Sequence, residues 1–521
     1  MNQHQHILAA FLFLTGLLPC LAQENPTFSE HIAPIIYSKC TSCHRAGEIA
    51  PFPLVTYADV AQRSLTIAYV TQMRTMPPWK PVHGYGEFLG DRSLTDDQIA
   101  LIGRWVKNGA QEGDASKTPP PPTFPSGSQL GVPDLVLQMS EQWNIEDNFK
   151  DVYRYFVIPT NVVGTRPVAA LEFRPGNPKV VHHVLYFQDT SGIARIKDAA
   201  DPQAGYSGFG DPGFETVSSF LGWVPGAQQR FYPPTIGATM YKGSDLVLQI
   251  HYAPSDTKET DRSSVNVFFQ KNTEIREIQQ LQLSPLQLPK GQSFVIPANT
   301  KRTFATQFTI PLNVSILGVA PHMHLLGRTA HAYAVTPTKD TIELVKVDDW
   351  DFHWQGGYAF KNMVRVPKGS VLHYDAEFDN TVDNPVNPSD PPKLVRWGES
   401  TTDEMLLCYF FWLPYQTGDE TMAMETTTSV ANDNAAAVPA VLAPNPAHGG
   451  TQLTFVVGMP TRVTIDVVDA MGSVIADVAT NTLFESGQHI LPINAHAFAR
   501  GAYFVRMRMN GSITSVPLMI D

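Results

Sequence analysis

Four consecutive prolines, Pro119-Pro120-Pro121-Pro122, divide this chain. Each lacks a backbone N–H and holds φ near −65°, so no helix or sheet ladder runs through them, and the stretch is a stiff spacer. The two sides carry different patterns. Residues 23 to 118 read as helical and short-looped. Leu94-Thr95-Asp96-Asp97-Gln98-Ile99 gives an N-cap near Thr95 with acids in the first turn. Ile99, Ile102, Trp105 and Val106 then share one helical face, and Asn108-Gly109 stops it.

From 130 to 418 the pattern is β. Tyr153 to Ile158, Val181 to Phe187 and Asp245 to Tyr252 read as strands, with turn residues at short intervals as in β-sandwiches. The length predicts two sandwiches, divided near 275 to 290 and placed at 130–280 and 281–418. Residues 419–440 are poor in large apolar side chains and read as a flexible linker. Residues 441–521 return to short strands, Leu453 to Val457, Val463 to Val468 and Ala502 to Met507, and predict a small separate sandwich.

Ile7 to Leu18 is an apolar run of signal-peptide length, and Cys20-Leu21-Ala22 supplies small residues for cleavage after Ala22, so residues 1–22 are expected to be a signal peptide. Acylation of Cys20 is the alternative. No other stretch reaches the roughly 20 apolar residues of a membrane span. The formal net charge of −12 over 521 residues argues against nucleic acid as a partner.

Once Cys20 leaves with the signal, Cys40, Cys43 and Cys408 remain, which is no disulfide framework. In Cys40-Thr41-Ser42-Cys43-His44 two thiols are spaced to add to haem vinyl groups, with the next imidazole beneath the iron. A redox disulfide or half a zinc site are the alternatives, and a second cysteine pair for zinc is missing. Met76, in Arg74-Thr75-Met76-Pro77-Pro78-Trp79, is the leading sixth ligand, with Met73 and His83 as rivals. This segment resembles cytochrome c domains, which implies one covalently bound haem c and electron transfer.

The β region places His182-His183 in one strand, His251 at the end of another, and His322-Met323-His324 after Gly318-Val319-Ala320-Pro321. A His-x-His pair on a strand sets both imidazoles on one face. Adjacent histidines point to opposite faces, so His182 and His183 share a metal only where the strand ends or bulges. Gln249, two residues before His251, faces the same side as that histidine.

The order His-His, His, His-x-His and then Met405, within Leu248-Gln249-Ile250-His251-Tyr252, Pro321-His322-Met323-His324-Leu325-Leu326-Gly327 and Asp403-Glu404-Met405-Leu406-Leu407-Cys408-Tyr409, resembles the copper type II ascorbate-dependent monooxygenases. The resemblance covers residues 130 to 418. It implies two antiparallel β-sandwiches, one copper ion on each, facing a solvent-filled cleft. His182, His183 and His251 then hold the electron-donating copper. His322, His324 and Met405 hold the copper that binds O2, and Tyr409 lies near the substrate. The implied reaction hydroxylates a C–H bond of a small-molecule substrate, with ascorbate or another one-electron reductant as electron donor. Peptide-hydroxylating members carry an arginine where this chain has Ala320, which argues against a peptidylglycine substrate. Cys408 reads as a buried hydrophobe.

Ala443-Pro444-Asn445-Pro446, Val463 to Gly472, Gly487-Gln488-His489 and Gly501 to Arg506 resemble the type A sorting domain of the type IX secretion system. This implies the type IX machinery as a partner, with passage through the periplasm to the cell surface or beyond. The expected whole is multidomain: a small all-α cytochrome c-like domain, two antiparallel β-sandwich copper domains and a small C-terminal β-sandwich. A non-enzymatic copper and haem electron carrier is the alternative function.

Overall fold

The computed structural model describes residues 25–424 and 440–520, except 125–126, 149, 209–210, 218–219, 221, 228, 399, 458–459, 470–473, 486, 497 and 510–511. The expected signal peptide, most of the expected linker and the tip of the Val463–Gly472 hairpin lie outside these residues. The chain forms two compact units, Met1–Thr426 and Thr427–Asp521.

The first unit opens with short helices, Ala33–Lys39, Tyr57–Gln62, Ser64–Gln72 and Asp96–Lys107. The last begins as its sequence dictates: Thr95 and Gln98 form a reciprocal capping box, and Asp96 and Asp97 lie at the positive helix end. Phe28, Ile32 and Ile36 bury against Ile102 and Trp105 to make a small core. The all-helical expectation fails between the helices. Residues 77–92 form an extended arm, because their prolines and glycines cannot continue a helix. The arm lies on the second sandwich. Val82 N–H donates to Lys346 O and Leu89 N–H to Ala359 O, each at 2.8 Å, and Phe88 joins that sandwich's core.

The first sandwich packs two sheets face to face. One runs Leu135–Gln138, Ser264–Phe269, Arg166–Arg174, Ile236–Met240 and Arg276–Glu277; the other runs Val181–Asp189, Asp245–Tyr252, Val152–Pro159 and Tyr206–Ser207. Along Asp245–Tyr252 the period of two is strict. Leu246, Leu248, Ile250 and Tyr252 enter the core, which sends Gln249 and His251 to the opposite face.

The chain crosses to the second sandwich between Glu277 and Gln279. Its sheets run Gln279–Leu283, Leu407–Pro414, Val314–His322 and Tyr358–Val366, and Thr300–Thr309, Val371–Asn380, Gly327–Val335 and Thr341–Val347. Residues 419–424, expected in the linker, belong here instead. Asp419 accepts both Arg276 guanidinium nitrogens, at 2.6 and 2.8 Å, and Met424 packs with Ile236 and Leu317. The cause is a buried carboxylate that needs donors.

The second unit is a small sandwich of two sheets, Val441–Ala443, Gly450–Val457 and Gly487–Asn494 against Val474–Phe484, Thr461–Asp469, Gly501–Met509 and Ser512–Ile520. Asn445 ties its entry to the last strand, donating to Pro517 O at 2.7 Å and accepting from Met519 N–H at 2.9 Å. Among the described residues no helix is long and apolar enough to cross a membrane.

Candidate functional site

Three strands of the first sandwich set a row of side chains on one face. Tyr153 and His183 are both directly opposite His251, one on each side. A regular strand would send His182 the other way. The register shifts between Val181 and His183, so two residues face one, and the bulge turns His182 back to its neighbours. The ligand nitrogens of His182, His183 and His251 all lie within 4.8 Å of one another. The Nδ1 atoms of His182 and His251 are each 3.3 Å from that of His183. Burial holds all three imidazoles below their ordinary range, neutral and ready to donate a lone pair.

The surroundings fix which nitrogen faces inward. His251 Nε2–H donates to Asp151 Oδ1 at 2.7 Å, which aims Nδ1 at the cluster. Tyr153 lies flat on the His251 ring, 4.2 Å between centroids and 3° between planes. Gln249 shares this face, and its amide donates to Tyr155 Oη at 2.7 Å. Three imidazoles with a carboxylate behind one of them fit copper or zinc.

In the second sandwich the Val314–His322 strand ends at His322. Met323 enters the core, and His322 and His324 turn the other way, their rings perpendicular with centroids 5.2 Å apart. Burial and the neighbouring His324 push His322 down to about 3, and burial also lowers His324. His324 Nδ1–H donates to Asp403 O at 3.2 Å. Glu404 is buried and joins this loop to the next. It accepts the N–H groups of His324 and Leu326, each at 2.8 Å, and of Met405 at 3.0 Å. Burial pushes its carboxyl up to about 8, against the backbone donors that pull it down. Met405 is buried beside this anchor. Two imidazoles and a thioether make a donor set suited to Cu(I).

Tyr409 stands directly opposite Ala320 and so on the His322 face of the sheet. Burial pushes its hydroxyl up to about 12. Cys408 points the other way, fully buried in the core as the sequence predicts.

The two histidine groups face each other across one side chain. Phe352 stacks on His182 with centroids 6.5 Å apart and stands edge-on to His324 at 5.7 Å. Phe352 thus touches both histidine groups. The sequence also gave no hint of Asp151 or Tyr153, whose roles depend on strand pairing. Glu404 was visible beside Met405, but only its backbone partners reveal what it does.

In the helical segment, Cys40 and Cys43 are free thiols in the turn after Ala33–Lys39. His44 Nδ1–H donates to Phe52 O at 3.1 Å, which leaves Nε2 for a metal. This tautomer and the unpaired thiols fit covalent haem. Met76 is half-buried, whereas Met73 is 58% exposed and His83 is exposed with Nε2 3.0 Å from Ser93 Oγ. A Cβ on Gly226 of the first sandwich would lie 2.9 Å from Cys43 Sγ, so this thiol sits at the junction with that sandwich.

Comparison with known proteins agrees with the second sandwich. Residues 277–437 match the family model described as copper type II ascorbate-dependent monooxygenase, C-terminal domain, and residues 441–521 match the secretion system C-terminal sorting domain. DBH-like monooxygenase protein 1 of Homo sapiens is 21% identical over 361 residues, covering 63% of this chain and 56% of that protein. Putative DBH-like monooxygenase protein 2 of Homo sapiens is 22% identical, covering 49% of this chain and 52% of that protein. DBH-like monooxygenase protein 1 of Mus musculus is 23% identical, covering 50% and 43%. The chain spans about half the length of these relatives. Residues 277–437 are thus similar to the C-terminal domain of the copper type II ascorbate-dependent monooxygenases, and residues 441–521 to a secretion system C-terminal sorting domain.

Proposed function

We propose that this chain is an exported copper-dependent monooxygenase that places one atom of O2 in a C–H bond of a small organic substrate. The observation that carries the reading is the convergence of three neutral imidazoles within 4.8 Å, facing His324 across Phe352. His182, His183 and His251 would hold one copper ion, and His322, His324 and Met405 the second. Bound copper supplies one-electron storage at the first position and oxygen activation at the second. The chain's own groups do the rest. Asp151 and Asp403 O orient imidazoles, Glu404 fixes the loop of His324 to that of Met405, and Phe352 limits water between the two positions. The balance is substrate, O2, two electrons and two protons giving hydroxylated product and water.

The electrons would come from a covalently bound haem c, from ascorbate or another one-electron donor, or from both, and such a haem would supply one-electron transfer. Cys40 and Cys43 would carry the haem, and His44 and Met76 would hold its iron. The packing of Cys43 against Gly226 supports this relay. Three residues before Gly226, Trp223 exchanges both backbone hydrogen bonds with Val184, at 2.9 Å each, and Val184 adjoins His183. The sorting domain takes the chain through the type IX machinery to the cell surface or the medium.

The test is metal analysis with oxygen uptake on the purified full chain. Two coppers and one haem per chain are expected, with O2 uptake dependent on an amine, phenol or acylated amino acid. Met405→Leu keeps the volume but removes the thioether, and should abolish uptake without unfolding. Copper-free protein, or O2 consumption independent of any substrate, would refute the reading. Reduced haem that never reoxidises in the presence of Cu(II) and substrate would remove the relay alone.

A further inference from the structure

Trp350-Asp351-Phe352-His353 follows the edge strand Thr341–Val347 of the second sandwich and reaches across to the first. The segment is seated on the loop that carries His324. Trp350 is buried in the second core. Its backbone N–H donates to Arg328 O at 2.8 Å, and its indole Nε1–H donates to His324 O at 3.2 Å. Gly327 allows this approach, since a Cβ there would lie 2.9 Å from both Trp350 Cδ1 and Met323 Cβ. Asp351 then caps the turn Phe352–Trp354, accepting the His353 N–H at 3.0 Å. From the arm, Lys80 Nζ pairs with Asp349 Oδ2 at 2.9 Å. The turn is thus built into the second histidine group.

Its reach is toward His182. His251 has Asp151 to orient its ring, and His324 has Asp403 O. His182 sits on a bulge, where the strand register no longer dictates its direction. The second sandwich supplies its support. The Phe352 ring lies at 21° to the His182 ring with centroids 6.5 Å apart. The His353 ring stands edge-on to it at 6.4 Å, and a hydrogen bond joins the His182 ring to the His353 backbone. Phe352 is 7% exposed and stands between His182 and His324. A buried ring held on both sides does not swing away without opening a void, so it keeps His182 in one direction.

We infer that Phe352 is a positioning residue for the first histidine group, and that this group is complete only with the turn of the second sandwich seated on it. Phe352 sets the direction of the His182 imidazole, and with it the geometry in which three ring nitrogens meet one metal ion. A ligand already held in its binding direction loses less freedom when the metal arrives. His353 contributes through its backbone and not its imidazole, which is exposed and pairs with Asp351 Oδ1 at 3.2 Å. A side chain that holds no metal, on the other sandwich, therefore governs the affinity of the first group. The inference deepens the copper reading of that group and rests on it.

Cu(II) is the probe, titrated into the full chain carrying His322→Gln, so that the first group keeps its three imidazoles and the second is disabled. Affinity is read by competition with a calibrated chelator, and ligand geometry by the Cu(II) electron paramagnetic resonance spectrum. Phe352→Ala should lower the affinity about 10-fold and broaden the spectrum, with circular dichroism unchanged. Phe352→Leu, which refills the volume without a flat face, should fall between the two, and it decides the matter if Phe352→Ala fails to fold. His353→Ala, which keeps the backbone and removes the imidazole, should leave affinity and spectrum as they were. Unchanged affinity and spectrum in the folded Phe352 variant overturn the inference. So does a loss in His353→Ala as large as that in His182→Ala, which would make His353 a fourth donor. If the His322→Gln chain takes up no Cu(II) at all, the copper reading of the first group is itself overturned.

Discussion

The backbone N–H of His324 donates to Glu404 Oε2 at 2.8 Å, and the same oxygen accepts the N–H of Met405 at 3.0 Å. One buried carboxylate therefore sets the spacing of two segments that are 80 residues apart. Glu404→Gln keeps the shape but replaces one acceptor oxygen with a donor amide, so at least one buried N–H is left unpaired. The expected cost is about 1–3 kcal/mol of stability, read by denaturant unfolding. Copper stoichiometry should fall toward one per chain, because the His182 group is untouched. A variant that keeps both coppers and full stability would show that Glu404 positions nothing.

Much of this arrangement was legible in residue order alone. The strict alternation in Asp245–Tyr252 fixed which side of the strand His251 takes, and the alternation around Met323 did the same for His322 and His324. The bulge at His182 followed as a requirement once both histidines were assigned to one metal. What could not be read was pairing between distant strands. Asp151 meets His251 from 100 residues away, and Phe352 reaches His182 across two domains. The arm was misread for a related reason. Prolines and glycines say that a segment is not helical, but not that Phe88 finds its apolar neighbours in a sandwich more than 200 residues on.

Asp151 is the test of the first histidine group. Asp151→Asn can still accept from His251 Nε2–H, but without charge, so imidazole basicity and orientation both weaken. Copper affinity at this group should fall about 10- to 100-fold, with folding unaffected, measured by competition with a calibrated chelator. An unchanged affinity would mean that Asp151 serves only as a surface partner for the ring.

Acid should weaken the metal-free protein. His182, His183, His251, His322 and His324 are all held below the ordinary imidazole range by burial, His322 at about 3. An unfolded histidine takes up its proton near pH 6.5. Below that pH the unfolded chain binds more protons than the folded one, so the stability these groups contribute is complete above 6.5 and lost as pH falls toward the folded values. Calorimetry from pH 7.5 to 4.5 should show a falling Tm, with a shallower fall for His322→Gln. A Tm slope identical in His322→Gln and the unaltered chain would contradict a buried neutral imidazole at this position.

The arm should behave as part of the second sandwich and not as a loop of the helical segment. Phe88 is 4% exposed, stacks on Phe360 with centroids 5.1 Å apart, and lies in the same core as Val319 and Phe410. Phe88→Ala removes a buried ring from between two sheets, for an expected loss of about 3–5 kcal/mol. Leu65→Ala, at a helix position 78% exposed, should change stability by less than about 0.5 kcal/mol. The loss at Phe88 should appear in the unfolding of the copper-binding region, since that is the core the ring belongs to. It should also free residues 77–92 for proteolysis, because the backbone contacts at Lys346, Ala359 and Lys361 depend on the ring to hold the arm down. If Phe88→Ala destabilised only the helical segment and left the arm protected, the arm would belong to the helices.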